Sequence, residues 1–262
     1  MAHFEICFLG SGTSIGVPVI GCDCSVCRSS DPADTRWRPS VLVRTPSTEA
    51  VIDTGPEFRL QAIRAGMSRL DAVIITHLHA DHVAGLDDVR RFCQQRGGAI
   101  DCWATEETAR GLRRMFPYIF DRTDYVPGLP SLTMRIMDGP FEIGDLAFVP
   151  LPLDHVVIKN VALRISPRGR SSPAAAYVLD CKTIPPETIE AIRGVDLLVL
   201  DMLRRRDHPT HLTLDEALAM ARRIGARRTL FSHISHEIAH AETSRSLPEG
   251  ISLAYDTLVV EV

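Results

Sequence analysis

Four potential metal-binding side chains fall within six residues in Thr76-His77-Leu78-His79-Ala80-Asp81-His82. The apolar run from Ala72 to Thr76 before them reads as a strand, and a helix is expected after them. In an extended segment, residues two apart share a side, so His77 and His79 point together. Asp81 and His82 diverge by about 100° once a helix begins. One short segment can therefore serve two neighbouring cations, with two imidazoles on one and a carboxylate plus an imidazole on the other. Singly, each residue has an ordinary explanation, and Asp81 could be a helix N-cap. Together, protonated imidazoles at close range would repel one another, and a metal keeps them neutral.

A metal centre needs further ligands. His155 follows the run ending at Asp154, Asp180 follows Ala175–Leu179, and His233 follows Thr229–Ser232. Each lies just beyond an apolar strand, where a rigid sheet can aim a loop residue. A second cluster is Cys22, Cys24 and Cys27, a Cys-x-Cys-x-x-Cys pattern. Three thiolates so close suit zinc, which takes four soft or borderline ligands in a tetrahedron. A redox role for the Cys24/Cys27 spacing is the competitor. The spacing does not dictate the fourth ligand; Cys7, Cys102 and several histidines are eligible.

The elements that must position these groups are strands over Phe4–Leu9, Val41–Arg44, Ala50–Asp53, Ala72–Thr76, Ile100–Ala104, Leu132–Ile136, Leu146–Leu151, Val161–Ile165, Ala175–Asp180, Asp196–Asp201, Arg228–Ser232 and Leu258–Val262. Helices are expected near Pro56–Ala65, Val83–Gln95, Glu106–Phe116 and Pro185–Arg193. Another follows Thr213, whose capping box with Glu216 precedes apolar residues at helical spacing. Strands in both halves with interspersed helices fit a layered α/β or α+β fold with more than one sheet. No boundary stands out, so residues 1–262 read as a single domain, with a zinc-binding loop at about 21–28.

The chain has 262 residues, 45% apolar and 24% charged, an ordinary globular composition that excludes disorder and coiled coil. Its net charge of −4, from 29 basic and 33 acidic side chains, argues against a dedicated nucleic-acid-wrapping protein. Arg204–Arg206 and Arg222-Arg223 are expected as solvated faces. No apolar run is long enough for a membrane span. The first residues lack the basic and apolar regions of a signal peptide. A cytoplasmic location is therefore expected, with reduced cysteines.

The order His-x-His-x-Asp-His, then His155, Asp180 and His233, resembles the metallo-β-lactamase superfamily. That resemblance implies an α+β fold, an αββα sandwich with metals in a cleft at one edge. It implies that His77, His79 and His155 hold one cation, that Asp81, His82 and His233 hold another, and that Asp180 bridges them. Two dications, two carboxylates and a bridging hydroxide sum to about +1, a site that attracts an anionic ester and supplies a nucleophile near neutral pH. With Leu9–Gly12, Gly16–Pro18, the cysteine cluster and Ser232–His236 added, the chain resembles PhnP-type phosphodiesterases over most of its length. This implies a catalytic pair of Mn²⁺ or Zn²⁺ ions and a structural Zn²⁺ held by Cys22, Cys24, Cys27 and His236. It also implies small cyclic ribose or nucleotide phosphodiesters as substrates, and a homodimer with no stable nucleic-acid complex. The family's leaving-group acid corresponds to His211, which abuts the capped helix; His208 is a nearby rival. Asp215 reads as a helix-dipole carboxylate. Two related alternatives are a transfer-RNA 3′-end endonuclease, whose RNA-holding arm has no counterpart here, and a PqqB-like cofactor-biosynthesis protein, which also carries the cysteine loop. A non-enzymatic metal-binding or redox-sensing module is a third.

Overall fold

The computed structural model describes residues 3–121, 128–154, 158–170 and 174–262. His155 lies outside the described residues. The chain forms two seven-stranded sheets packed face to face, with helices on both outer sides. The first half builds β1 (Glu5–Gly10), β2 (Ser40–Arg44), β3 (Glu49–Ile52), β4 (Ala72–Ile74), β5 (Ile100–Ala104) and β6 (Leu132–Ile136). The second half builds β7 (Phe141–Ile143), β8 (Leu146–Leu153), β9 (Asn160–Pro167), β10 (Ala175–Val178), β11 (Leu197–Asp201), β12 (Arg228–Ser232) and β13 (Ile251–Leu253). Finally β14 (Val259–Glu261) returns to pair with β1 in the first sheet.

Alternation along the strands explains the layering. In β2, Val41 and Val43 face the core between the sheets, while Leu42 packs outward under helices. Strand β10 divides likewise, Ala175 and Tyr177 going inward and Ala176 and Val178 outward. The outer helices on the first sheet are α1 (Phe58–Arg64), α2 (Ala80–Val83), α3 (Arg90–Arg96), α4 (Glu106–Met115) and α5 (Pro117–Phe120). On the second sheet they are α6 (Pro186–Ala191), α7 (Leu214–Ile224) and α8 (His240–Ser244). Three buried apolar clusters, one central and two outer, match an αββα sandwich.

Each sheet is parallel where it matters for function. Strands β3 to β6 run parallel, as do β10 to β13. Their carboxyl ends leave the backbone free at one edge, the usual place for a ligand site in such sheets.

All twelve expected strands are present within a few residues at each end. The structure adds β7 and β13, each three residues long, too short to show a period. The capping box of Thr213 and Glu216 at α7 is present. The expected helix over Val83–Gln95 is broken: α2 closes at Val83, a 3₁₀ turn spans Leu86–Val89, and α3 starts at Arg90. The cause is Gly85, whose N–H donates to Thr54 O at 2.9 Å and whose Cβ, were there one, would lie 2.0 Å from Gly55 O. The arginine run at 204–206 is also not merely a solvated face. Both Arg204 and Arg206 pair with Glu237. Among the described residues, no helix is long and apolar enough to cross a membrane.

Candidate metal centre

Six of the seven expected cage residues are described, and the fold brings all six together. His77 Nε2 and His79 Nδ1 face each other at 3.0 Å, and with Asp180 they form one group of potential ligands. Asp81, His82, His233 and Asp180 form a second. Asp180 belongs to both. His82 Nε2 lies 3.4 Å from Asp81 Oδ2 and 3.2 Å from Asp180 Oδ2. His233 Nε2 lies 3.2 Å from Asp180 Oδ1 and 3.7 Å from Asp81 Oδ2. These are the edge lengths of a coordination shell built on bonds of about 2 Å.

The donor atoms are held ready by groups behind them. Asp53, which follows β3, is fully buried and accepts from Thr76 N at 2.9 Å and from His82 Nδ1 at 2.7 Å. The Thr76 hydroxyl donates to Asp53 Oδ2 at 2.9 Å, so it is left to accept from His77 Nδ1 at 3.0 Å. Both histidines are thereby oriented with Nδ1 turned to its acceptor and Nε2 turned into the cage. His82 Nε2, His233 Nε2 and Asp180 Oδ2 are buried with no hydrogen-bond partner. Leaving such groups orphaned is costly unless a cation satisfies them. The residues present thus fit a divalent metal pair.

Electrostatics agree. Burial opposes charge on His82 and His233, but the carboxylates of Asp180, Asp53, Asp81 and Asp201 outweigh it. His82 is raised well above the ordinary imidazole range and His233 to about 9. Burial likewise opposes charge on Asp180, and His233 and His82 overcome it, holding the carboxyl well below its usual range. The cage attracts positive charge.

Two cage residues, Asp180 at φ 56° and His233 at φ 65°, and Asp53 behind them at φ 63°, sit in left-handed backbone. Such strain persists only when surrounding contacts over-determine it. Asp180 is held from both sides. Its N–H donates to Asp201 Oδ1 at 3.3 Å, and its C=O accepts from Asn160 Nδ2 at 2.9 Å. Ser40 Oγ donates to Asp53 O at 2.8 Å. Beside His233, Ile234 N–H donates to Ser11 O at 2.9 Å.

His211, 9% exposed, stands at the rim of the cage. Its Nδ1 donates to Asp201 Oδ1 at 3.1 Å, while Leu212 N–H binds the other oxygen at 2.8 Å. Its Nε2 is 3.9 Å from Asp180 Oδ1. Asp201 thus aims both His211 and the Asp180 backbone. Asp215 sits in the first turn of α7, where a carboxylate favours the helix dipole. Asp81 is not an N-cap; His79 holds that position, without a side-chain capping bond.

The cysteine cluster is brought to His236. Its Nδ1 lies 3.3, 3.6 and 3.5 Å from the sulfurs of Cys22, Cys24 and Cys27. A tetrahedral zinc with ordinary Zn–S and Zn–N bonds spaces those atoms about 3.5 Å apart. Cys7 and Cys102 are buried in the sheet core and are not candidates for the fourth position. Arg36, 0% exposed, locks the adjoining segment by donating to Ser235 O, Ile238 O and Asp34. The cysteine loop and His233 are thereby fastened to the same short stretch.

Sequence reasoning passed over Asp53, Asp201, Asn160 and Arg36. For Asp53 and Asp201 a signal existed: each is a carboxylate closing an apolar strand, as Asp180 does. We expect Asp53→Asn to weaken metal binding about 10- to 100-fold, because His82 and Thr76 lose their ionised acceptor. Competition against a fluorescent chelator measures it, and unchanged affinity would remove the orienting role.

Comparison with known proteins adds kinship. The family described as beta-lactamase superfamily domain matches residues 48–234. An octanoyltransferase of Porphyromonas gingivalis is 38% identical over 255 residues, covering 95% of this chain and 50% of that protein; the chain spans about half of that relative's length. A ribonuclease Z of Mycobacterium bovis is 26% identical over 260 residues, covering 87% of this chain and 85% of the relative. The crystal structure of a diphosphatase from the PhnP family is similar at a TM-score of 0.90 and 43% identity, covering 99% of this chain and 97% of that one.

Proposed function

The chain belongs to the metallo-β-lactamase superfamily, in its PhnP-type branch, and is a metal-dependent hydrolase; from that premise we propose that it cleaves small phosphodiesters, cyclic ribose phosphates and nucleoside 2′,3′-cyclic phosphates among them. The single observation that carries this reading is an acid set against the cage. His211 Nε2 is 3.9 Å from the shared carboxylate of Asp180, and Asp201 fixes its other nitrogen.

One cation is assigned to His77, His79, His155 and Asp180, and the other to Asp81, His82, His233 and Asp180, with Mn²⁺ or Zn²⁺ as the candidates. Bound there, divalent ions supply Lewis acidity toward a phosphoryl oxygen and an activated water as nucleophile. Everything else falls to the side chains. Asp53, through His82 and Thr76, keeps the Nε2 donors aimed inward. Asp201 and Asn160 hold Asp180 at its strained position between the two groups. Asp201 also sets the proton-bearing nitrogens of His211, so that Nε2 can donate to the departing oxygen. An alkoxide leaves poorly without that proton. A structural zinc on Cys22, Cys24, Cys27 and His236 would secure the loop beside this machinery.

Likeness to a diphosphatase supports a second substrate class, diphosphate esters, whose phosphate leaving group needs less help from an acid. Metal-stripped protein should be inactive and regain activity with Mn²⁺ or Zn²⁺. The reloaded enzyme, assayed on a nucleoside 2′,3′-cyclic phosphate, a dinucleoside diphosphate and a precursor transfer RNA, should favour the cyclic diester. Preferential cleavage of the transfer RNA would overturn the assignment.

Zinc removal from the cysteine loop gives an independent check. Chelation should expose three thiols per chain to a thiol reagent and lower the melting temperature. Cys7, Cys93, Cys102 and Cys181 should stay protected, because they are buried. A count of three reactive thiols before chelation would argue that the loop holds no metal.

A further inference from the structure

We propose that His208 is a substrate contact on the leaving-group side of the site, donating from Nε2–H to another oxygen of the ribose whose ester oxygen is expelled; this rests on the reading of His211 as the acid. Three imidazoles form a file that leads outward from the cage. His233 is buried, and its ring stacks on that of His211 with centroids 4.7 Å apart and planes 13° apart. The ring of His208 lies 5.0 Å beyond His211, tilted by 49°, and is half-buried. Exposure therefore rises along the file. If His211 Nε2 protonates the leaving oxygen, the rest of that alcohol extends past the rim, where His208 is an accessible neighbour of the acid's ring.

The hydrogen bonds of His208 define what it can offer. Thr210 N–H donates to its Nδ1 at 3.3 Å, and the Thr210 hydroxyl lies 3.2 Å from the same atom. A nitrogen that accepts a backbone N–H carries no proton, so the neutral ring has its proton on Nε2. Burial, with His211, Arg204 and Lys182 nearby, pushes its pKa down against the pull of Asp201, so the ring is neutral near pH 7. It is a neutral donor, suited to a hydroxyl or ether oxygen rather than to a second phosphate.

Its loop is also built to hold still. Arg204 donates to Arg206 O at 3.1 Å and to Asp207 O at 2.6 Å. Arg206 grips Glu237 through two nitrogens, and Lys182 bridges Asp207 and Glu216 at 2.8 Å each. Leu203 N–H donates to Leu212 O at 2.9 Å, closing the base of the loop. A contact residue works only when such support fixes its position.

Two cyclic diesters with the same reacting ring test this: a ribose cyclic phosphate and the cyclic phosphate of cis-cyclopentane-1,2-diol, which lacks the ribose oxygens. Metal-loaded His208→Ala should lose about tenfold of the KM preference for ribose over cyclopentane, the size expected of one hydrogen bond. His208→Gln, which keeps a donor near the Nε2 position, should recover most of it. Imidazole nitrogen NMR should find His208 as the Nε2–H tautomer. An equal fall in kcat on both diesters would make His208 a proton carrier or a prop and overturn the proposal, as would an unchanged KM ratio. A wild-type enzyme that hydrolyses neither diester would overturn the substrate assignment first, and this inference with it.

Discussion

Asp180→Asn should give a folded protein that binds less divalent metal and has lost about three orders of magnitude or more in kcat/KM on phosphodiesters. Asparagine is the informative replacement. Position 180 lies at φ 56°, in the left-handed region, which Asn and Asp tolerate far better than alanine does. The amide keeps the size of the side chain, while the backbone anchors from Asp201 and Asn160 are untouched. What disappears is the charge shared by the two ligand groups. The His77/His79 group and the Asp81/His82/His233 group would then share only a neutral amide, and the cage loses attraction for both cations. Metal analysis of the purified variant, beside circular dichroism, separates this from misfolding. A variant with full metal content would discredit the bridging role.

His211→Ala should behave differently. It should keep its metals, because Asp81, His82, Asp180 and His233 remain in place, yet lose about 10²–10⁴-fold in turnover on diesters with alkoxide leaving groups. On a p-nitrophenyl diester, whose phenolate departs without a proton, most of the rate should survive. The contrast between substrates is the test. Near-wild-type rates on a cyclic ribose phosphate would remove His211 from the reaction, and an equal loss on both esters would point to a structural defect. A diphosphate ester should fall between them.

Both expectations start from residues that were visible in the chain, but to different degrees. The His77–His82 run is local: strand periodicity and the turn into α2 suffice to say which side chains share a side. His155, Asp180 and His233 were found as isolated residues at strand ends, and the superfamily resemblance joined them. The same strand-end pattern occurs at Asp53 and Asp201, but a single carboxylate after an apolar strand is also an ordinary turn residue. Nothing local marked Arg36 or Asn160. Arg36 grips Ser235 and Ile238, about two hundred residues away. The broken helix after Val83 has the same origin: Gly85 stops it through contact with Gly55 and Thr54, not through its own propensity. Edge strands β7 and β13 are too short for alternation to register.

By itself, the amino-acid order determined the layered strands and helices, the capped start of α7, and the types of side chain available for metal and thiolate chemistry. These depend on periodicity and short spacing, which act between neighbours along the chain. The tertiary structure decided which carboxylate aims which imidazole, which nitrogen keeps its proton, and where left-handed backbone is tolerated. Those outcomes depend on hydrogen bonds and burial between segments 20 to 200 residues apart, and no local pattern encodes such pairings.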